Sequence, residues 1–324
     1  MSRIDSRQLF ALLFLSSAWN VIGISGIYGT GQILGALLAC ILGLLLSIPL
    51  LMLPEYGTER IYHRKLLCLL YVLFFVLWGA NSLRELNHSA PIQLLNVSGH
   101  WKGLVLIFIT CLLTSTNGIK ATARSAPIIL TVMTCSALIL IVGAWKRIDL
   151  DTLLMESNGF KEGFTSCMTG ELAVAVVLGH KGNLKKALIQ YFTAKWILYS
   201  VIVFLCLTVG GRLLQNQPYP FFILTSLSQP LQGQRADAFY ILVFVMLTIL
   251  HITLQTSLTA HLLETIFPKL KGTAPISLMV MLLLAWAIPE RVLQFSEHCM
   301  IPILVFAVPM GIRLFQTRKK VVTS

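Results

Sequence analysis

Acidic residues are scarce in this chain: 13 Asp and Glu stand against 25 Lys and Arg in 324 residues. Charge of either sign is also scarce, at 12% of residues, where soluble globular chains carry roughly 25%. A surface facing water requires that missing charge, so most of the surface is expected to face lipid. No two cysteines have C-x-x-C spacing. Cys40, Cys68, Cys111, Cys135, Cys167, Cys206 and Cys299 are scattered, most of them inside apolar runs. They read as small apolar packers, not as disulfide partners or metal ligands. Neither G-x-x-x-x-G-K nor H-E-x-x-H occurs, which leaves no phosphate loop for direct ATP use and no zinc-protease motif. Gly29-Thr30-Gly31 is followed by Gly35, one residue off the dinucleotide spacing. With no catalytic cluster and no stretch long enough for a soluble domain, neither an enzyme nor a bound cofactor is expected.

What the chain has is apolar length. The hydrophobic set makes up 56% of residues and the mean hydropathy is +0.80. A helix needs about 20 mostly apolar residues to cross the hydrocarbon core. Ten candidate spans fall at about 8–27, 31–53, 65–83, 102–116, 124–145, 164–179, 188–210, 236–262, 274–289 and 299–315. The start, Met1 to Leu15, has a basic end and an apolar run. It continues apolar through Ile27, and so reads as a retained first span rather than a cleaved signal. The fourth and sixth spans are short, which suggests tilting, a break or burial in protein.

Basic residues sit in short clusters between the apolar runs, without interleaved aromatics, so nucleic acid is not an expected partner. With ten spans both termini lie on one side. The loops on that side hold 16 Lys and Arg, from Arg3 and Arg7 to Lys319 and Lys320, against 8 on the other. This bias places both termini in the cytoplasm. The longest charged loop, Lys146 to Glu162, leaves five spans on each side. The expected fold is an all-α membrane protein of about ten transmembrane helices in a five-plus-five inverted-repeat transporter arrangement. It forms a single domain over 1–324, with pseudo-repeats near 1–146 and 147–324.

Polar residues inside the spans mark the candidate site. Glu171 is the only acid well inside a span. An acid at a helix centre costs about 2.5–3.5 kcal/mol on insertion scales, so it is expected to face protein. Gly170 before it favours an interruption of the sixth span. Glu171 either meets a ligand there or serves structure, capping a half-helix or pairing with Lys195 of the seventh span. The first span is polar and glycine-bearing from Ser17 through Asn20 to Gly23. A helix break is expected in that stretch, with tight packing as the alternative and as the better reading for Gly26. In the eighth span Thr248, His251, Gln255 and Thr259 share one helical face. Such a stripe lines a cavity or bonds between helices, and His251 is a candidate proton carrier. Asn81 is a further intramembrane polar residue. The sequons Asn87-His88-Ser89 and Asn96-Val97-Ser98 fall on the predicted outer side.

Several segments then point to a family. Ile4-Asp5-Ser6-Arg7-Gln8-Leu9-Phe10 resembles the start of spore-germination receptor B subunits, the spore permease family. Asn117-Gly118-Ile119-Lys120-Ala121-Thr122-Ala123-Arg124, Gly170-Glu171 and the Pro220 to Phe239 segment are similar to their counterparts there. The resemblance runs along nearly the whole chain, and it rests on the order and spacing of these segments. It implies the fold of the amino acid–polyamine–organocation superfamily. It also implies residence in the spore inner membrane, alongside an A-type membrane subunit and a C-type lipoprotein. The implied ligand is an amino acid or similar small germinant held between spans one and six, near Ser17, Asn20, Gly23, Gly170 and Glu171. His251 and Gln255 are carried as further ligand-site candidates. The chain is short between spans one and two, where the family often has a proline and this chain has none before Pro49.

Overall fold

The computed structural model describes residues 4–23, 26–52, 65–93, 100–150, 158–168, 170–179, 181–214, 217, 219–228 and 237–313. Thr169, Asn96, Arg60, Arg64, the 229–236 part of the loop before the eighth span, and Arg318 to Lys320 lie outside these residues. The described part is all-α. In lipid every backbone N–H and C=O must be bonded internally, and a helix does this within one segment.

The first span is α1, Ser6–Ile22. It begins in a reciprocal cap, in which Asp5 Oδ1 accepts from Ser6 N at 2.7 Å and Asp5 N donates to Gln8 Oε1. This explains the Ile4-Asp5-Ser6-Arg7-Gln8 opening as a helix start. Next come α2, Gly31–Leu46, and its short continuation α3, Ile48–Leu51. Spans three to five are α4, Lys65–Gln93, α5, His100–Thr116, and α6, Gly118–Ala144. The sixth is split into α7, Phe160–Cys167, and α8, Glu171–Leu178. Then follow α9, Lys181–Leu205, the short helix α10, Pro220–Leu227, α11, Asp237–Ile266, α12, Thr273–Ala287, and α13, Glu290–Pro302. A wide helical turn extends α9 to Gly210, and another carries α13 on toward Arg313. Six of these spans are long and apolar enough to cross a bilayer unaided, and α5 and α12 are shorter apolar helices. With α1 and the split sixth span, the described residues contain a helix for each of the ten expected crossings.

Burial separates an inner set from an outer one. Every residue of α8 is buried, and α11 and α4 are the most buried of the long spans. Helix α1 packs on α6, α8, α9 and α11, and α4 runs against α11. Outside them, α6 and α13 show large apolar side chains outward, such as Ile128, Val142 and Phe295. Water would penalise this surface, whereas lipid does not.

The closest helix approach joins α2 to α7. A Cβ added to Gly35 would lie 2.1 Å from the Phe160 carbonyl oxygen, and one on Gly163 would lie 2.1 Å from that of Gln32. Only hydrogen fits at either position. Without a hydrophobic drive between helices in lipid, such close backbone contact is a main source of association. Gln32 faces Gly159 and Gly163, Gly35 faces Phe160, and Cys40 bonds Cys167. The two helices therefore run parallel. Cys40 and Cys167 are both free thiols buried at the far end of this contact.

One expectation is corrected. Helix α1 is not broken between Ser17 and Ile22; it continues regularly and ends at Gly23. Ser17 Oγ bonds the Phe14 carbonyl of its own helix at 2.8 Å, so its polarity stays within α1. The irregular stretch comes later, at 26–30, and it is held by Gln32. Its amide accepts from Tyr28 N at 2.9 Å and donates to the Gly26 carbonyl at 3.2 Å. Two of the backbone groups in the turn, Tyr28 N and Gly26 O, are thus satisfied by one buried side chain.

Candidate functional site

The break in span six was legible from Gly170, and the structure has it there. Helix α7 stops at Cys167, Met168 leaves helical geometry, and α8 starts at Glu171. Gly170 is required by crowding: a Cβ would come within 2.9 to 3.0 Å of the Phe74 and Trp78 rings of α4. Glu171 occupies the first turn of α8. There the free N–H groups and the helix dipole favour a negative charge.

The Glu171 carboxylate is fully buried and binds groups from two other spans. Asn20 Nδ2 of α1 donates to Oε1 at 2.8 Å, and Tyr191 OH of α9 donates to Oε2 at 3.3 Å. Lys195 Nζ lies 3.5 Å from Oε2 and donates to the Tyr191 oxygen at 3.1 Å. Lys195 is itself 1% exposed. The pairing of Glu171 with Lys195 expected from the sequence is therefore present, and so is the contact between spans one and six. Asn20 and Gly23 are half-buried, and Gly23 closes the end of α1.

His251 organises a second network that joins three spans. Its Nδ1 lies 2.8 Å from Ser16 Oγ of α1, and its Nε2 lies 3.0 Å from both Ser82 Oγ of α4 and Gln255 Nε2. The Trp19 ring stacks on the imidazole at 4.5 Å, and Trp78 meets it edge-on at 5.1 Å. Trp19 is fixed in turn by its Nε1, which donates to Thr248 Oγ1 at 3.0 Å. Gln255 Nε2 also donates to Ser82 Oγ at 3.1 Å, while Gln255 Oε1 is buried without a hydrogen-bond partner among the described residues. Thr259 bonds the carbonyl of Gln255 within its own helix. The polar face of α11 is thus mostly an interhelical hydrogen-bonding face. Asn81 donates to Glu85 at 3.1 Å, one turn along α4.

The structure brings Asn20, Gly170 and Glu171 together, and it places His251 and Gln255 in the adjoining network across Trp78. Ser17 points into its own helix. Tyr191, Trp19, Trp78, Ser16 and Ser82 were not singled out in the sequence. Tyr191 is the one with a local signal, because it precedes Lys195 by four residues on the same helical face. No group of three His, Cys, Asp or Glu among the described residues is placed to hold a metal. The seven residues expected to bind ligand have contacts within the chain or lie at helix ends, and Gln255 Oε1 alone among their buried side-chain polar atoms lacks a partner among the described residues. A groove of about 470 Å³ opens elsewhere, between α4, α5 and α12.

No family model and no curated protein matches the sequence. Among solved structures the chain is similar to Mhp1, a nucleobase-cation-symport-1 family transporter, in a closed conformation with bromovinylhydantoin bound. The TM-score is 0.52 at 17% identity, over 93% of this chain and 77% of that one. The chain is an all-α membrane protein with a transporter fold.

Proposed function

We propose that this protein is the membrane subunit of a nutrient germinant receptor, holding an amino acid or similar small solute between spans one and six. In this reading it resides in the spore inner membrane with both termini in the cytoplasm, and works with A-type and C-type receptor subunits. The observation that carries the ligand site is the buried carboxylate at the break of span six, hydrogen-bonded to Asn20 of span one. A carboxylate is kept in a membrane interior at a cost, and here it lies where a helix end leaves backbone groups open. The unsatisfied Gln255 Oε1 of the adjoining network supplies an acceptor for a ligand N–H. A ligand acts on such a site by binding one arrangement of spans better than another. The neighbouring Lys195 makes the exchange specific: a ligand ammonium that reaches Glu171 competes with the lysine. The second reading is a secondary amino acid permease, with or without ion coupling. Likeness in fold to a transporter with bromovinylhydantoin bound in a closed conformation favours it.

A panel of amino acids and sugars, tested for binding to the purified protein and then for uptake into sealed vesicles, separates the two. Binding without uptake is expected; saturable uptake makes the permease reading primary. In the same assay Glu171→Gln is expected to weaken ligand binding by about tenfold or more, the size of a lost charge-assisted hydrogen bond. His251→Gln is expected to weaken it less. Equal, near-wild-type binding by both variants, with assembly verified by gel filtration, removes Glu171 from the site.

A further inference from the structure

We infer that the groove between α4, α5 and α12 is a binding site for an anionic phospholipid, with the headgroup phosphate at Arg84 and an acyl chain along the groove floor. Arg84, Asn87 and His88 stand three and four residues apart, on one face near the end of an apolar span that runs from Lys65 to His88. That position lies at headgroup depth. Helix α5 starts from the same membrane face, seven residues after α4 ends. The groove then passes Leu104, Phe108 and Cys111 of α5 and Leu282 of α12. From Leu104 to Cys111 it descends about 10 Å into the hydrocarbon. The site is therefore amphipathic in the direction of a lipid, polar at the membrane face and apolar below. Its volume of about 470 Å³ is in the range of specific small-molecule pockets.

The sign of the headgroup follows from Arg84. Its Nη1 donates to the Ala285 carbonyl at 3.1 Å and to the Ile288 carbonyl, at the end of α12. These contacts hold the guanidinium at the groove wall without neutralising it. Arg84 pairs with no carboxylate among the described residues, Nε has no partner, and no acid lines the groove. A guanidinium with no carboxylate partner among the described residues, at the wall of an apolar groove, favours a phosphate diester as its acceptor. A zwitterionic headgroup brings its own cation and gains less.

The test uses the full chain, purified in detergent and exposed to phosphatidylglycerol or phosphatidylcholine of equal chain length, with bound lipid counted by native mass spectrometry. One phosphatidylglycerol is expected to remain bound under conditions that strip phosphatidylcholine. Arg84→Gln is expected to abolish that preference. Ala285→Phe, which fills the groove without touching its charge, is expected to expel the lipid even where Arg84→Gln disturbs the end of α12. Equal retention of the two lipids by the wild-type chain overturns the inference. So does undiminished phosphatidylglycerol binding by Ala285→Phe.

Discussion

Glu171→Gln alone is expected to destabilise the purified protein by about 3–5 kcal/mol, the usual cost of stranding one member of a buried ion pair. Lys195 is 1% exposed and Glu171 fully buried, with 3.5 Å between Nζ and Oε2. Removing the carboxylate charge leaves the ammonium in a low-dielectric interior without its ion-pair partner Glu171. Replacing both, as Glu171→Leu with Lys195→Met, is expected to recover most of that loss, because the desolvation penalty of both ions disappears with them. The comparison is a double-mutant cycle on unfolding in detergent. If the double variant is as unstable as the sum of the two single ones, the pair is not coupled as described. The same cycle separates structure from ligand recognition. A double variant that folds but binds nothing assigns Glu171 to the ligand, and one that folds and still binds makes the pair purely structural.

Gly163→Ala is expected to be nearly as damaging, by about 2–3 kcal/mol, although it adds a single methyl group. That methyl would sit 2.1 Å from a backbone oxygen of Gln32, and a backbone atom cannot turn aside as a side chain does. The two helices would have to separate, giving up the close contact that holds α2 to α7. Gly35→Ala meets the Phe160 carbonyl at the same distance and is expected to behave alike. Gly311→Ala is the control: nothing lies within 4 Å of its added Cβ and the residue is helical, so a neutral effect is expected. Thermal unfolding of the three variants in one detergent checks this. Equal melting points for Gly163→Ala and Gly311→Ala would show that the α2–α7 contact contributes little.

The spans were legible because a bilayer imposes a length and an apolar composition on each segment, and both are written locally. Glu171 and Lys195 were legible for the related reason that isolated charge in a span requires a partner, and few candidates exist. Gly170 announced the break in span six. The polar face of α11 was visible as spacing. What it touched was not, because Ser16, Ser82 and Trp19 come from spans far away in sequence and carry no local mark. The expected break in span one was misplaced for an instructive reason. Serine and glycine content suggests unwinding, but a serine in lipid can return its hydroxyl to its own helix, as Ser17 does with Phe14, or spend it on a neighbour, as Ser16 does with His251. Either use leaves the helix intact. Gln32, which satisfies the true irregular stretch, stands in the following helix and gave no sign of that role.

The parallel contact of α2 with α7 has a mechanical consequence. Span six is a jointed rod whose two arms are anchored by different means. Its first arm is bolted backbone to backbone through Gly35 and Gly163, a fit with no slack. Its second arm begins at Glu171 and is moored there by hydrogen bonds and one ion pair. The limb that follows Gly170 therefore keeps its place through polar contacts to α1 and α9, with Leu172 and Phe192 set against Gly43 of α2.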